Sequence, residues 1–390
     1  MNEQAEAEAI SEPRRIWIER LRATDFRNYE ALSIDLDNRP VVLTGPNGAG
    51  KTNLLEAVSL LTPGRGLGRA PFAEMTRRGA DGGWAISARL HCLHGDVDIG
   101  TGYAGGDETS TRAVRIDGET ARSAGALGDY TRAIWLTPAM DGLFAGSAGE
   151  RRRFLDRLIQ SLDPGYRTNL SRFERAMRQR NRLLEDWEQS PSLYDGLETQ
   201  MAETGTAIAA ARLDTVTRLG SLCAAARERE EIAPFPWAEL DLEGLLEERL
   251  RSEAAVDVED TYRETLARGR ERDRAARRTL EGPHRSDLIV GHGPKSAPAR
   301  SCSTGEQKAL LIGLILAHAA LVKQQSDGYA PLILLDEIAA HLDEVRREGL
   351  FGEIRRLEAQ AWMTGTDASD FEPMGQNAQH IGIESGGVQT

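Results

Sequence analysis

The sequence Gly-Pro-Asn-Gly-Ala-Gly-Lys-Thr at residues 45–52 is the strongest constraint on how this chain folds. It has the pattern Gly-x-x-x-x-Gly-Lys-Thr of a phosphate-binding loop, follows the apolar run 40–44 and precedes a helical pattern at 53–61. The glycines let the backbone direct several N–H groups at phosphate oxygens, at the positive end of the following helix. The motif therefore predicts an α/β fold in which a strand, this loop and a helix follow one another.

Two side chains of the motif have predicted tasks. Lys51 would reach the β- and γ-phosphates of a nucleoside triphosphate, and the Thr52 hydroxyl would ligate Mg²⁺. Only four of the 48 lysine and arginine residues are lysines, so a lysine at this position is a rare choice. The residues predicted to contact the nucleotide here are Gly45, Asn47, Gly48, Gly50, Lys51, Thr52 and Asn53.

Length and composition limit the class of protein. The 390 residues suffice for about two to three domains, and 40% hydrophobic with 28% charged residues is typical of a globular protein. No apolar run approaches the roughly 20 residues of a membrane span, and the acidic first residues are unlike a signal peptide. The three cysteines form no Cys-x-x-Cys pair, which argues against a disulfide framework or a zinc site. We expect a cytoplasmic protein without membrane association.

The pattern along the chain predicts a head interrupted by helices. The predicted divisions are a disordered tail (1–14), the first head part (15–150), an inserted helical arm domain (151–280) and the second head part (281–390). Within the first head part, short strand-like runs predict an antiparallel β-lobe at residues 85–90, 97–103, 112–116 and 133–136.

Residues 331–337, Pro-Leu-Ile-Leu-Leu-Asp-Glu, predict a buried strand that ends in two adjacent acids. Burying acids at the end of an apolar strand costs free energy, so their presence there indicates a function. Beside a phosphate loop, Asp336 would hold Mg²⁺ directly or through water, and Glu337 would orient and polarise the attacking water. Asp336, Glu337 and Lys51 are therefore the predicted catalytic residues, with Thr52 and Asp336 as metal ligands.

Residues 302–308, Cys-Ser-Thr-Gly-Glu-Gln-Lys, open an apolar helix predicted at 306–323. Ser303 with Glu306 three residues later is also the pattern of a helix capping box. A capping box explains the serine and the glutamate, but it does not explain Gly305.

The order of phosphate loop, Ser-x-Gly-x-Gln, Asp-Glu and Ala-Ala-His-Leu-Asp (339–343) resembles the nucleotide-binding heads of the ABC ATPase superfamily. This resemblance implies that Ser303, Gly305 and Gln307 of one subunit meet the γ-phosphate bound by the other, with ATP enclosed in a dimer. It also implies that Asp343 links the two sites. His341 is a further candidate contact at the nucleotide site.

Two residues that many such ATPases carry are missing. Residues 363–367, after a predicted strand, contain no switch histidine, and no glutamine lies between Gln4 and Gln160 to sense Mg²⁺ and water. We therefore predict slow hydrolysis.

Several peptides in order also resemble the bacterial RecF family of recombinational DNA repair. They are Asp-Phe-Arg-Asn-Tyr (25–29), Leu-Leu-Glu-Ala (54–57), Gly-Arg (64–65), Glu-Arg-Arg-Arg-Phe-Leu-Asp (150–156) and Gly-Pro-His-Arg-Ser-Asp-Leu (282–288). The resemblance implies an ABC-type head with short helical arms, ATP-dependent dimerisation, binding of DNA near single-strand gaps, and action with RecR and RecO in loading recombinase during repair and replication restart.

The net charge of −13 argues weakly against indiscriminate nucleic-acid binding, but basic residues are unevenly distributed. Residues 150–182 hold ten arginines against four acids, and residues 261–285 hold eight against four. Such stretches are usually solvated helix faces and become candidate phosphate contacts only if the rest of the chain indicates nucleic acid. The candidate DNA contacts are Arg65, Arg151, Arg152 and Arg285.

Three classes of function stay open from the residues alone. The first is a DNA-binding protein with a weak, DNA-stimulated ATPase activity, whose hydrolysis controls the lifetime of its dimer. The second is the ATPase subunit of an ABC transporter. Such a subunit would have a shorter helical insertion, and it would carry the sensing glutamine and the switch histidine that this chain lacks. The third is a scaffold that binds ATP with little hydrolysis, against which Glu337 argues.

Overall fold

The computed structural model describes residues 14–106, 111–186, 190–227, 234–339, 342–384 and 386–389. They divide into two compact units. The sheet unit contains the described residues up to 137 and from 322 onward, and the helical unit contains residues 138–321. The helical unit therefore begins before, and ends after, the inserted domain predicted at 151–280. The predicted disordered tail lies, apart from Arg14, outside the described residues.

A largely parallel sheet forms one layer of the sheet unit. Numbered along the chain, its strands are β3 (Val41–Thr44), β8 (Ala133–Leu136), β12 (Leu332–Leu335), β13 (Ala361–Gly365), β14 (Gln379–Glu384) and β15 (Gly387–Gln389). The order is β15-β14-β3-β13-β12-β8, and only β15 pairs antiparallel to its neighbour. All residues of β12 and β13 are buried, as expected for central strands of a parallel sheet. The carboxyl ends of β3, β13 and β12 consequently meet at one edge of the sheet.

The second sheet of this unit is antiparallel. Its strands are β1 (Trp17–Phe26), β2 (Tyr29–Asp35), β4 (Trp84–Cys92), β5 (Gly95–Tyr103), β6 (Ala113–Ile116) and β7 (Glu119–Thr120), in the order β2-β1-β4-β5-β6-β7. The β-lobe predicted from the sequence is thus present, with one correction. Residues 133–136 form β8, which pairs parallel with β12 and belongs to the other sheet.

Helix α1 (Lys51–Ser59) shares one hydrophobic core with both sheets of the sheet unit. The core contains Leu54, Leu55 and Val58 from α1, alternate residues of the antiparallel sheet, and Leu334 and Trp362 from the parallel sheet. A fully buried leucine contributes roughly 1.5–3 kcal/mol relative to an exposed one. This packing fixes the start of α1, and with it Lys51 and Thr52, at the carboxyl end of β3.

The helical unit consists mainly of helices with one small sheet. Its helices are α2 (Ala148–Leu162), α3 (Tyr166–Glu185), α4 (Pro191–Arg227), α5 (Leu245–Leu250), α6 (Ala255–Arg268), α7 (Arg270–Ala276) and most of α8 (Thr304–Gln325). A three-stranded sheet contains β9 (Ala238–Glu243), β10 (Asp287–His292) and β11 (Ala297–Pro298). Strand β9 lies within the helical arm domain predicted at 151–280, and it pairs along its whole length with β10, which follows that domain in the chain.

Among the described residues, α8 is the one helix long and apolar enough to cross a membrane by length and composition. In the most apolar window of α8, 72% of the residues are buried inside the protein. Buried core helices pass the same test, so this helix is weak evidence for a membrane span.

Candidate nucleotide-binding site

The phosphate-binding loop depends on glycines at three positions. Gly45, Gly48 and Gly50 have φ angles of 146°, 80° and 118°, which residues with a side chain rarely adopt. A Cβ atom on Gly45 would also lie 2.1 Å from the carbonyl oxygen of Ile383. Gly50 caps α1 without a side-chain hydrogen bond. The first N–H groups of α1 thus have no side-chain cap and are suited to an anion.

Lys51 lies folded over this loop. Its Nζ donates to the carbonyl oxygens of Gly45 (2.7 Å) and Pro46 (2.9 Å), and the residue is 5% exposed. Burial lowers the pKa of Lys51, while the nearby charges of Glu337 and Asp336 partly offset the effect. The ammonium group is therefore a desolvated cation bound only by neutral carbonyls, and a phosphate would be a stronger partner.

Thr52 and Asp336 meet as the sequence predicted. Thr52 Oγ1 donates to Asp336 Oδ1 at 2.9 Å, which brings the end of β12 to the start of α1. A hydroxyl and a carboxylate are the hard oxygen ligands that Mg²⁺ prefers. The two residues thus fit the predicted metal site.

Thr364 completes this arrangement, although no sequence motif marks it. Its Oγ1 donates to Asp336 Oδ1 (2.8 Å) and accepts from the backbone N–H of Glu337 (2.7 Å). Thr364 is fully buried in β13, between β3 and β12. Thr364 lies within residues 363–367, the segment in which many ABC-type ATPases carry a switch histidine. One threonine thus contacts the carboxylate of Asp336 and the backbone of Glu337.

Glu337 has an unusual backbone conformation. Its φ angle is 50°, in the left-handed region that glutamate seldom adopts, and its side chain is exposed. Such conformations cost about 1–3 kcal/mol and concentrate at functional sites. The hydrogen bond from its N–H to Thr364 stabilises this conformation at the end of β12.

The peptide 25–29, noted for its family resemblance, supports the loop from outside. Asn28 Nδ2 donates to Ala49 O (2.9 Å), and the Tyr29 hydroxyl donates to Gly50 O (3.1 Å). Asn53, predicted to contact nucleotide, donates from Nδ2 to Asn28 Oδ1 (2.7 Å). These contacts assign Asn28 a positioning role that the motif alone did not reveal.

Arg27 and Glu56 tie the same peptide to α1. The Arg27 guanidinium donates to both carboxylate oxygens of Glu56, at 2.6 and 2.8 Å. Glu56 is 3% exposed, so this bidentate pair satisfies a buried charge. The turn between β1 and β2 is therefore bound to both the loop and the helix that follows it.

We predict that Asn28→Ala weakens nucleotide binding about five- to tenfold, since a net hydrogen bond is worth about 1 kcal/mol and the loop loses its support. Asn28→Asp should weaken binding equally, because a carboxylate cannot donate to Ala49 O. Titration of a fluorescent ATP analogue measures both effects. Asn38→Ala, at an exposed position away from the loop, is the control, and equal affinities for all four proteins would contradict the assignment.

The segment 302–308 begins α8 in the helical unit. The backbone N–H of Ser303 donates to Glu306 Oε2 (3.0 Å), and Gln307 Nε2 donates to Cys302 O (2.8 Å). Lys295 pairs with Glu306 at 2.5 Å, and with Ser303 it lowers the pKa of Glu306 to about 2. A Cβ on Gly305 would meet no atom within 4 Å, so this glycine has no steric role within the described chain. The bond from the Ser303 N–H to Glu306 is one of the two bonds of a capping box. The space beside Gly305 is open to a group from outside the described chain.

Asp343 caps the helix α9 (Glu344–Leu357), because its carboxylate accepts from the N–H of Arg346 at 2.8 Å. Its predicted link across a dimer stays a prediction. Ala340 and His341 lie outside the described residues, and so does the predicted contact of His341 with the nucleotide.

The four candidate DNA contacts differ in their surroundings. Arg151 donates to both carboxylate oxygens of Asp287 (2.8 and 2.7 Å), and this pair raises its pKa. Arg152 donates to the carbonyl oxygen of Ser286, and burial lowers its pKa. Arg65 and Arg285 are exposed. The first two join peptides 150–156 and 282–288 inside the helical unit, which favours a structural role for them.

Comparison with known proteins identifies the family. A model of the RecF/RecN/SMC N terminal domain matches residues 17–388. The DNA replication and repair protein RecF of Mesorhizobium japonicum is 54% identical over 376 residues, covering 96% of this chain and 98% of that protein. The RecF of Brucella suis is also 54% identical and covers 96% of each chain. The chain belongs to the RecF family.

Solved structures confirm the RecF-type fold. The structure described as the recombination mediator protein RecF-ATPrS in the RecFOR pathway has a TM-score of 0.83 at 20% identity, covering 97% of this chain and 98% of that one. An Smc head domain derived from Pyrococcus furiosus has a TM-score of 0.53 at 15% identity, covering 96% and 95%. The predicted ABC-type head is confirmed, and RecF-family membership favours the first class of function over the transporter subunit.

Proposed function

We propose that this RecF-family chain is an ATP-dependent DNA-binding protein of recombinational repair and replication restart. It would form a dimer around ATP at gapped DNA and help to load recombinase. Slow hydrolysis of ATP would then open the dimer again. Its curated relatives are named DNA replication and repair proteins, and related solved structures are described as RecF-ATPrS and RecF-ATP. The observation that carries the proposal is the contact chain from Thr52 through Asp336 and Thr364 to Glu337.

In this proposal the chain's own residues bind and orient the triphosphate. Lys51 exchanges its two carbonyl partners for phosphate oxygens, and the N–H groups of the loop and of α1 bind the rest. Thr52 and Asp336 would hold Mg²⁺, which supplies charge neutralisation when bound. Glu337 orients the attacking water and accepts hydrogen bonds from it, and Thr364 fixes the backbone from which Glu337 acts.

A second copy of the chain would complete the site. Ser303 and Gly305 of that copy, with Gln307 behind them, would contact the γ-phosphate, and Asp343 would connect the two sites. Without the sensing glutamine and the switch histidine we expect a weak ATPase that DNA stimulates. Cytoplasmic location, the boundaries 15–150, 151–280 and 281–390, and action with RecR and RecO belong to the same proposal.

The test is the ATPase rate and the molar mass of the protein, each measured with and without gapped DNA. We predict that ATP together with gapped DNA converts a monomer into a dimer and raises the slow basal rate several-fold, because closure brings Ser303 and Gly305 to the partner's nucleotide. A protein that binds ATP but keeps the same mass and rate with DNA would instead favour the scaffold.

A further inference from the structure

The two arginine-rich stretches noticed in the sequence meet on the helical unit. Asn181, near the end of α3, accepts from both the N–H and the hydroxyl of Thr279 through its Oδ1, each at 2.8 Å. Arg277 and Arg278 directly precede Thr279. The contact therefore brings the end of the second basic stretch beside the last turns of α3, which belongs to the first.

Helix α3 separates its side chains into two faces. Tyr166, Phe173, Ala176, Arg180 and Leu184 are buried against the unit. On the opposite face Arg175, Arg178 and Arg182 are exposed at the spacing i, i+3, i+7. With 3.6 residues per turn and a rise of 1.5 Å, these three lie within about 60° of one another and span about 10 Å.

A buried ion network fixes this surface. Arg180 is fully buried and bonds Glu198 Oε1 (3.0 Å), Asp273 Oδ2 (2.7 Å) and Thr279 Oγ1 (2.9 Å). It therefore joins α3 to α4, to α7 and to the segment after α7. Removing one partner of such a buried pair costs about 3–5 kcal/mol. The exposed arginines around it are consequently presented by a rigid frame.

The exposed arginines here have few acidic partners. In the described part of the chain, the side chains of Arg175, Arg182, Arg277 and Arg278 make no hydrogen bond or ion pair, and Arg178 lies 3.6 Å from Glu174. Helix α3 itself contains two acids, Glu174 and Glu185, against the three arginines 175, 178 and 182 on this face. By contrast, the exposed arginines of α6 pair with acids one turn away on the same helix.

We propose that Arg175, Arg178, Arg182, Arg277 and Arg278, the arginine cluster, contact the phosphate backbone of duplex DNA. The inference rests on the proposed function and names the surface that would perform the DNA binding. Guanidinium groups bind phosphate oxygens in a bidentate manner and release condensed counterions from DNA. Successive phosphates of one strand advance about 3.4 Å along the axis, so the α3 arginines span about three of them. The residues Arg151 and Arg152 are not part of this surface.

The test compares two triple variants with the same loss of charge. The cluster variant is Arg175→Gln, Arg182→Gln and Arg278→Gln. The control variant is Arg249→Gln, Arg263→Gln and Arg268→Gln. Arg263 and Arg268 are exposed and Arg249 is half-buried, and the three pair with Asp260, Glu264 and Glu253. Fluorescence anisotropy of a labelled duplex gives the binding constant at several salt concentrations. Thermal melting and titration with an ATP analogue check folding and the nucleotide site.

We expect the slope of log K against log salt to fall in magnitude by about 2.7 in the cluster variant, near 0.9 for each phosphate that this variant no longer neutralises. The control variant should keep the slope of the unaltered protein, and replacement of the same three cluster residues by lysine should restore most of it. Equal slopes for all variants, or an equal fall in cluster and control variants, would overturn the cluster while leaving the proposed function intact. If the unaltered protein binds ATP but no DNA, the proposed function itself fails.

Discussion

Lys51→Ala will abolish nucleotide binding at concentrations that saturate the unaltered protein. The Nζ of Lys51 is a nearly buried cation bound by the carbonyl oxygens of Gly45 and Pro46 alone. Without it, the phosphates would face carbonyl oxygens and the carboxylates of Asp336 and Glu337 with no charged partner. Truncating one partner of a buried, hydrogen-bonded charge pair costs about 2–5 kcal/mol, so affinity should fall by about 10²-fold or more.

The matched control is Lys323→Ala, in the same unit. Lys323 also donates to a backbone carbonyl, that of Leu357, and it pairs with Glu358 at 2.9 Å, away from the phosphate loop. Isothermal titration with ATP should give full binding for this control and no measurable heat for Lys51→Ala. A Lys51→Ala protein that still binds ATP within tenfold of the unaltered affinity would show that the loop holds phosphate through backbone N–H groups alone.

Local patterns in the sequence were enough to locate the main parts of the candidate nucleotide site. The phosphate loop is one contiguous motif, and Asp336 ends an apolar strand, so each residue carries its own signal in the sequence. That Thr52 and Asp336 meet at 2.9 Å follows from the rule that parallel strands end at a common edge. The contact between Thr52 and Asp336 is therefore as expected, and their roles toward Mg²⁺ and nucleotide stay predictions.

Residues whose role comes from tertiary neighbours were missed. Thr364 has no motif, and its function arises because β13 lies between β3 and β12. Strand β8 was predicted as a strand but assigned to the wrong sheet, because an apolar run does not reveal its pairing partner. The sequence predicts Arg151 as a candidate DNA contact, yet its side chain binds Asp287, 136 residues later in the chain. Sequence patterns predict a helix or a strand, but they seldom predict which other part of the chain it contacts.

The second large effect concerns Glu337, whose replacement by glutamine should separate ATP binding from hydrolysis. Glutamine has nearly the same shape and can keep the backbone bond to Thr364, but it cannot act as a base for water. We expect hydrolysis to fall by about 10²–10⁴-fold, the usual contribution of a general base. Binding of ATP should not weaken, because one carboxylate near the triphosphate has been neutralised.

The consequence of slow hydrolysis should be an accumulated dimer. If ATP closes two copies of the chain and hydrolysis opens them, Glu337→Gln with ATP and gapped DNA will show twice the monomer mass by light scattering. Glu358→Gln is the control, since Glu358 is also a glutamate of the sheet unit with a positive φ, here 56°, but it pairs with Lys323. It should leave hydrolysis unchanged. A Glu337→Gln protein that binds ATP yet stays monomeric on DNA would falsify the model in which a second copy completes the site. In that model bound ATP is sufficient for dimerisation, and hydrolysis is not needed.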